Sequence, residues 1–236
     1  MQEFKVKFLG RIKRTETVES FRFVSAEKID FLPGQFLQLI FDPVNRLNRE
    51  LNKFLSFSSS PTKKYLEVTK RLSESKFSQK LRNLKIDDEV LLKAPLGECV
   101  FKEQNKKIAF LIGGIGITPV ISIIEYIIEQ KLNTDILLVY SSRTEEDIAF
   151  KKELDYWRSA YRNLKIIYTV TDSLPKDESC YLTPINKDLL VWKTDDLKER
   201  ILFIFGPPRM VEAMQNLALE LGCPKENIKI EQFLGY

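Results

Sequence analysis

The feature that most constrains the fold is a glycine-rich turn, GGIGITP at residues 113–119, set between two apolar stretches. The stretch before it, 107–112, is typical of a buried strand, and the stretch after it, 120–128, has apolar residues at helical spacing. In such a strand-turn-helix unit, backbone N–H groups and the positive end of the helix attract anions. The turn is not a complete G-x-G-x-x-G motif, because proline replaces the third glycine. It is therefore either a phosphate-binding turn or a tight chain reversal.

The rest of the second half continues this alternation of strand and helix. Further apolar runs typical of strands lie at 135–140, 164–170, 201–205 and 228–231, and helical patterns lie at 119–129, 145–157 and 208–221. Strands that alternate with helices predict a parallel sheet with helices on both faces. A glycine-rich turn after the first strand of such a sheet is well placed to hold a phosphate, so we favour that interpretation.

The first hundred residues have a different pattern. Their apolar runs are short, and they lie at 21–24, 36–41, 53–58, 65–69 and 89–92. Many short strands separated by turns predict an antiparallel barrel or sandwich. One helix is expected where Phe77, Leu81 and Leu84 share a face, with Ser75 or Ser78 at its N-terminus. The polar segment 102–106 marks the boundary, and we expect a β-barrel domain at 1–103 and an α/β domain at 104–236.

Composition excludes several classes of protein. The chain has 44% hydrophobic and 30% charged residues, which is typical of a soluble globular protein. Its net charge of +4 comes from 37 basic and 33 acidic side chains, so we expect no nucleic-acid partner. The N-terminal residues lack a basic stretch followed by an apolar one, and no apolar helix pattern is long enough to span a bilayer. We therefore expect a cytoplasmic protein without a membrane span.

Two absences narrow the chemistry. The chain has no histidine, which excludes Ser-His-Asp catalysis and metal sites built on imidazole. Cys99, Cys180 and Cys223 form no C-x-x-C pair, so we predict no metal site and no iron-sulfur cluster. Acid-base chemistry must come from carboxylates, lysines or a cofactor.

Seven segments, taken in order, resemble the ferredoxin-NADP reductase superfamily. The family has a flavin-binding barrel with an Arg-x-Tyr-Ser signature and a nucleotide-binding half with Gly-Gly-x-Gly-x-Thr-Pro. The matching segments are Pro33–Phe36, Lys53–Pro61, Ser75–Ser78, Pro95–Gly97, Gly113–Pro119, Phe205–Met210 and Glu231–Tyr236. The resemblance implies a flavin-binding β-barrel domain followed by an NAD(P)-binding α/β domain. It implies FAD, or FMN in its place, with NADH or NADPH as coenzyme.

The resemblance assigns catalytic roles to three residues. Ser56 matches the serine whose hydroxyl reaches flavin N5, the atom that receives hydride. Glu231 matches the carboxylate near the nicotinamide, and Phe233 matches the aromatic that covers the flavin until nicotinamide displaces it. Phe205 replaces the cysteine usual beside the nicotinamide, so the resemblance implies no thiol role at this position.

The flavin-binding signature departs from the family pattern at three positions. Lys53 replaces arginine and keeps the charge but loses the bidentate fork, Leu55 replaces the stacking tyrosine, and Ser75 replaces glycine. These changes suggest weaker FAD binding or FMN in its place. The full set of cofactor-binding residues that we predict is Lys53, Phe54, Leu55, Ser56, Thr69, Lys70, Ser75, Lys76, Phe77, Ser78, Gly114, Gly116, Ile117, Thr118, Ser142, Arg143, Asp172, Gly206, Pro207, Met210 and Tyr236.

The choice of coenzyme depends on two segments that follow neighbouring strands. The family commonly meets the 2′-phosphate of NADPH with a serine-arginine pair after the strand at 164–170, where this chain has Thr171-Asp172. A carboxylate accepts hydrogen bonds from ribose hydroxyls and repels a phosphate, so we expect NADH. The competing signal is Ser142-Arg143, which follows the preceding strand and carries a positive charge.

The reaction that the resemblance implies is hydride transfer from a reduced nicotinamide to flavin, followed by release of electrons to a separate acceptor. Ferredoxin, flavodoxin, an oxygenase component, free flavin and quinone all fit as acceptors. Two alternatives stay open. One is a flavin reductase that binds flavin as a substrate, and the other is an electron-transfer subunit of a larger complex.

Overall fold

The computed structural model describes residues 2–233, and its chain divides into two compact units. The first unit comprises the chain up to Phe101 together with Thr118–Glu129, and the second comprises Lys102–Ile117 and the chain from Gln130 onward. The first contains an antiparallel sheet and the second a parallel sheet, as the sequence predicted.

The sheet of the first unit has six strands and is barrel-like. The strands are β1 (Gln2–Lys13), β2 (Val18–Ser25), β3 (Phe36–Ile40), β4 (Asn52–Ser56), β5 (Leu66–Arg71) and β6 (Glu89–Leu96). Their order is β4-β3-β6-β1-β2-β5, and the paired strands are antiparallel. A single bridge between Phe57 and Val68 links the chain after β4 to β5, so the two ends of the sheet meet.

The core of the first unit follows from the period of two along its strands. In β1, Phe4, Val6 and Phe8 are buried while the residues between them are exposed. The helix α1 (Lys76–Arg82) adds Phe77 and Leu81, which are fully buried in the same core. Burying side chains of this size stabilises the fold by about 2–3 kcal/mol each. The helix begins after Ser75, whose hydroxyl accepts a hydrogen bond from the Ser78 N–H.

The helix α2 (Ile117–Glu129) carries two carboxylates that bind the segment after β4. Glu125 accepts hydrogen bonds from the Ser60 N–H at 2.7 Å and pairs with the Lys63 ammonium at 3.0 Å. Thr62 and Lys63 also donate to Glu129. Burial raises the pKa of the Glu125 carboxyl. These contacts explain why most of α2 belongs to the first unit although it follows the first strand of the second.

The sheet of the second unit also has six strands, all parallel. They are β7 (Lys107–Gly113), β8 (Asp135–Ser142), β9 (Leu164–Val170), β10 (Cys180–Leu182), β11 (Ile201–Gly206) and β12 (Ile228–Gln232). Their order is β10-β9-β8-β7-β11-β12, so the direction of strand addition reverses beside β7. Open parallel sheets bind ligands at the carboxyl ends of the strands next to such a reversal.

Helices cover both faces of the parallel sheet. The helices α4 (Lys187–Lys193) and α5 (Pro208–Glu220) contribute Leu189, Val211 and Met214 to a core that includes Ile167 of β9. The next residue of β9, Tyr168, points to the other face, where its hydroxyl donates to Asp155 of α3 (Lys151–Ala160). No helix in the described part of the chain is long and apolar enough to cross a membrane.

Four elements differ from the sequence-based expectation, and one of them is β1, because no strand was expected at 2–13. The helix expected at 145–157 begins only at Lys151, because Glu145–Asp147 form a short 3-10 turn and Phe150 has a left-handed backbone with φ of 62°. The side chain of Thr144 makes no capping hydrogen bond, so the capping pattern does not start the helix. The strand β10 and the helix α4 were not expected, since β10 has only three residues and α4 is a short helix that has charged residues at both ends.

Candidate functional site

The glycine-rich turn leaves β7 as a 3-10 turn at Gly114–Gly116 and continues directly into α2. Gly114 has a φ of +54°, and a Cβ added there would meet no atom within 4 Å. Gly116 lies against β11, since a Cβ on it would come within 2.3 Å of the Phe205 carbonyl oxygen. Gly114 thus makes the turn beside open space, while Gly116 allows close packing. Ile117 and Thr118, the first residues of α2, are buried.

The end of β11 lies beside this turn. Gly206 ends the strand, Pro207 precedes α5, and the Met210 side chain packs against both Gly113 and Gly206. Phe205 is fully buried and contacts Phe203 with 5.9 Å between ring centroids. Phe205 is therefore a core residue at the position where the family has a cysteine.

Glu231 lies on β12 opposite Phe205 in the parallel register. Burial raises the pKa of its carboxyl to about 7, so its charge changes near neutral pH. The next residue but one, Phe233, is half-buried and donates its N–H to the Gly206 carbonyl at 3.0 Å. The carboxylate, the aromatic and the Gly206-Pro207 segment are thus neighbours within the second unit. Tyr236, which we predict to contact a cofactor, lies outside the described residues.

The segments predicted to choose the coenzyme lie side by side. The Arg143 carbonyl accepts hydrogen bonds from the Thr171 N–H at 3.1 Å and the Asp172 N–H at 2.9 Å. The side chains of Arg143 and Asp172 are both exposed at the carboxyl ends of β8 and β9. The Ser142 hydroxyl is buried, and no hydrogen-bond partner for it is found among residues 2–233. A buried hydroxyl without a partner at this edge is suited to donate a hydrogen bond to a bound nucleotide or to accept one from it.

In the first unit, β4 carries the predicted flavin signature. Ser56 is buried at the end of the strand. Leu55, at the position of the stacking tyrosine, is only 5% exposed and packs in the barrel core opposite Leu37. Phe54 is 61% exposed and contacts the edge of Phe36, with 5.8 Å between centroids and planes at 88°. The exposed aromatic surface on this strand therefore comes from Phe54, whereas Leu55 faces inward.

Two lysines of the first unit create a positive region. Lys70 on β5 is buried, and this burial, together with the charge of Lys53 on β4, lowers the pKa of Lys70 to about 8. Lys53 also lowers the pKa of Glu50, after the larger effect of Lys76. An anion placed between Lys53 and Lys70 would favour the charged form of the Lys70 ammonium.

Thr69 and the serines around α1 use their hydroxyls within the barrel. The Thr69 hydroxyl lies 2.6 Å from the Ser20 hydroxyl and 2.7 Å from the Ser58 hydroxyl. The Ser75 hydroxyl caps the Ser78 N–H, and the Ser78 hydroxyl accepts from the Ser73 N–H at 3.2 Å. These groups have protein partners already, so they are less available to a phosphate than the sequence suggests.

Lys76 and Phe77 also have roles within the first unit. The Lys76 ammonium pairs with Glu50 at 2.7 Å between two exposed side chains, and the Phe77 ring lies in the core beside Phe41. Only the backbone N–H groups at these two positions fit a cofactor. Sequence reasoning also missed Glu67, a buried carboxylate that pairs with Arg14 at 2.8 Å and Arg22 at 2.7 Å.

Comparison with protein families matches the second half of the chain. Residues 110–216 match the model of the oxidoreductase NAD-binding domain. A ferredoxin-NADP⁺ reductase from Plasmodium falciparum superposes with a TM-score of 0.79 over 98% of this chain and 96% of its own, at 20% identity. The chain therefore has the fold of ferredoxin-NADP reductase-like proteins, and its second half matches an oxidoreductase NAD-binding domain. The resemblance and the two-domain fold class inferred from the sequence are thereby confirmed.

One further solved structure shares this fold, and two further proteins are similar to the chain in sequence. The FAD/NAD-binding domain of a nitric oxide dioxygenase from Vibrio cholerae has a TM-score of 0.82 over 98% of both chains, at 18% identity. A glycine betaine monooxygenase reductase subunit from Pseudomonas aeruginosa is 31% identical over 90% of this chain and 59% of its own length. An NADH-cytochrome b5 reductase-like protein from Arabidopsis thaliana is 28% identical over 89% of this chain and 66% of its own. The chain thus spans about three fifths to two thirds of these two relatives.

Proposed function

We propose that this chain is a flavoprotein reductase that uses NADH to reduce bound FAD and passes the electrons to a separate redox protein. The observation that carries the proposal is a cluster of three features at the end of the parallel sheet in the second unit. There, the glycine-rich turn, the Gly206-Pro207 segment and the carboxylate of Glu231 lie next to a reversal of strand order.

The residues of the first unit fit a flavin in part. Lys53 and Lys70 suit the negative pyrophosphate, and Phe54 with Phe36 offers an exposed aromatic surface. Ser56 is the hydroxyl that we assign to flavin N5. The chemistry supplied by a bound flavin is acceptance of hydride from a reduced nicotinamide, followed by release of electrons singly.

The residues of the second unit fit a nicotinamide nucleotide. The open space beside Gly114 admits a pyrophosphate close to the backbone at the start of α2, which is thirteen residues long. Ionised Glu231 would stabilise the positive charge that develops on the nicotinamide ring as hydride leaves. We assign the contacts with the adenosine ribose to Asp172 and the Ser142 hydroxyl, which is buried and has no hydrogen-bond partner among residues 2–233. A carboxylate in that position favours NADH over NADPH.

The acceptor is proposed from the relatives. One of them is the reductase subunit of a glycine betaine monooxygenase, and another is a cytochrome b5 reductase-like protein. The first name is that of a reductase that serves a monooxygenase, and the second name indicates similarity to NADH-dependent reductases of cytochrome b5. An oxygenase component or a small electron carrier is therefore the class of acceptor that we propose.

The test is to purify the protein and record its absorbance, then to measure NADH oxidation with a panel of one-electron and two-electron acceptors. Flavin bands in the purified protein and turnover with a one-electron acceptor would support the proposal. The proposal would be contradicted if no acceptor in the panel supported NADH oxidation by the protein, with or without added FAD.

A second function is favoured by one observation. The serine cluster around α1 satisfies the Ser78 N–H and hydroxyl internally, which leaves fewer donors for a pyrophosphate. Weak retention of FAD would follow, and the chain would then act as a flavin reductase that binds flavin as a substrate. A colourless protein whose NADH oxidation saturates with added FMN or riboflavin would identify this function.

A further inference from the structure

Two loops of the second unit meet at the carboxyl ends of β8 and β9. The first loop, 143–147, contains Arg143 and the acidic run Glu145-Glu146-Asp147. The second loop, 171–179, connects β9 to β10 and begins with Thr171-Asp172. The inference below rests on the proposed function, in which these loops frame the adenosine end of the coenzyme.

The backbone of the second loop is hydrogen-bonded to the first loop at two separate points. At its start, Thr171 and Asp172 donate their N–H groups to the Arg143 carbonyl. Further along, Lys176 and Asp177 donate their N–H groups to the same Glu145 carboxylate oxygen, at 2.9 Å and 3.2 Å. Hydrogen bonds to an ionised carboxylate are about twice as strong as neutral ones. Glu145 is therefore the side chain of the first loop that binds backbone N–H groups in the middle of the second loop.

The far end of the second loop has its own support. Asp177 pairs with Lys151 of α3 at 2.9 Å and accepts from the Ser179 hydroxyl at 2.7 Å. The Ser179 hydroxyl and the Lys151 ammonium hold the pKa of the Asp177 carboxyl well below its usual range. The end of the loop would therefore stay in place without Glu145. The part whose position depends on Glu145 is the stretch between Asp172 and Lys176.

We infer that Glu145 is a positioning residue for coenzyme selection. By fixing the backbone at Lys176 and Asp177, it closes the loop that begins with Asp172 and holds that carboxylate where it meets the ribose hydroxyls of NADH. The side chain of Glu145 is engaged by these backbone N–H groups, so it acts through the loop and not through the coenzyme itself. Its neighbour Glu146 makes a different contact, an exposed pair with the Lys176 ammonium at 3.3 Å.

This difference between neighbours supplies a matched control. Glu145→Ala and Glu146→Ala each remove one negative charge from the same loop, so long-range electrostatics alone would change NADPH use equally in both. Only Glu145→Ala removes the two backbone contacts. Glu145→Gln keeps a carbonyl oxygen that accepts from the same N–H groups and serves as the conservative rescue.

The experiment measures Kd for NAD⁺ and NADP⁺, steady-state kcat and KM for NADH and NADPH, and backbone amide exchange across 171–179. In Glu145→Ala we expect KM for NADH to rise about ten-fold, with kcat within about two-fold of the parent and reduced discrimination against NADPH. Amide exchange at Lys176 and Asp177 should increase. Glu146→Ala should match the parent in NADH use, and Glu145→Gln should recover most of the loss.

Several results would overturn the inference. If Glu145→Ala and Glu146→Ala change coenzyme use equally, charge and not loop position is responsible. If amide exchange rises in Glu145→Ala while KM and discrimination stay unchanged, the loop does not contact the coenzyme. Failure of the parent protein to bind either nucleotide would instead refute the proposed function itself, so the two failures are distinguishable.

Discussion

Replacing Glu231 with glutamine should make the protein more stable and less active at the same time. In a solvated glutamate the pKa is 4.5, whereas burial in the folded chain raises the pKa of Glu231 to about 7. The charged form is therefore penalised in the folded state, by about 3 kcal/mol once the carboxyl is fully ionised. We infer that this penalty is accepted because an ionised carboxylate beside the nicotinamide speeds hydride transfer.

The sign of the pH dependence follows from the raised pKa. The contribution of the Glu231 carboxyl to the free energy of unfolding is fully present below pH 4.5, and it is lost as the pH rises toward 7. Glu231→Gln has no charge to desolvate. Its free energy of unfolding should therefore be close to that of the parent near pH 5 and should exceed it by up to about 3 kcal/mol at pH 8. Chemical denaturation of the flavin-free protein at a series of pH values measures this difference.

The activity of the same variant is measured by stopped-flow reduction of the flavin with NADH. In the parent, the rate should rise with pH through a midpoint near 7, as Glu231 ionises. In Glu231→Gln the rate should be lower by about ten-fold to a hundred-fold at pH 8 and should lose that midpoint. The reasoning fails if the variant has the parent's pH profile, or if its stability difference from the parent is the same at pH 5 and pH 8.

Four other predictions concern separate parts of the molecule. Ser56→Ala should slow flavin reduction by about ten-fold to a hundred-fold while flavin content stays unchanged, as measured by stopped-flow and absorbance. Asp172→Arg should raise kcat/KM for NADPH relative to NADH by about ten-fold, whereas better use of NADPH by the parent would show that Asp172 does not govern the choice. Gly116→Ala should destabilise the fold by about 3 kcal/mol, because its Cβ would meet a backbone carbonyl, and Gly114→Ala by only about 1 kcal/mol, for its left-handed φ, in denaturation experiments. Because the pKa of Lys70 is about 8 and an anion favours its charged form, the Kd for FAD should weaken by about ten-fold between pH 7 and pH 9, and this change should be absent in Lys70→Met.

Much of the fold was predictable because it depends on patterns that survive in a single sequence. The parallel sheet has long apolar runs, such as β7 and β11, whose residues are buried on both faces. The start of α1 depends on a serine that caps it, and the sequence placed this helix within a residue or two. The helix expected at 145–157 begins only at Lys151, and the residues before it make a contact with a distant part of the chain. Glu145 binds the N–H groups of Lys176 and Asp177, about thirty residues away, and local patterns carry no information about such contacts.

For the candidate site, the sequence indicates where each residue lies along its strand but not the direction of its side chain. Ser56 and Glu231 lie at strand ends, where the motif order placed them. The neighbouring β4 residues show the limit, because Leu55 was expected to cover a flavin and instead points into the barrel core, while the exposed aromatic is Phe54. A shift of one residue along a strand moves a side chain to the other face, so a motif aligned correctly in sequence still leaves the face undecided. Strand pairing decides it, since Leu55 lies opposite Leu37 and Phe54 lies opposite Gln38. If a flavin stacks on this strand, Phe54→Ala should therefore weaken its binding more than Leu55→Val, although Leu55 stands at the tyrosine position of the signature.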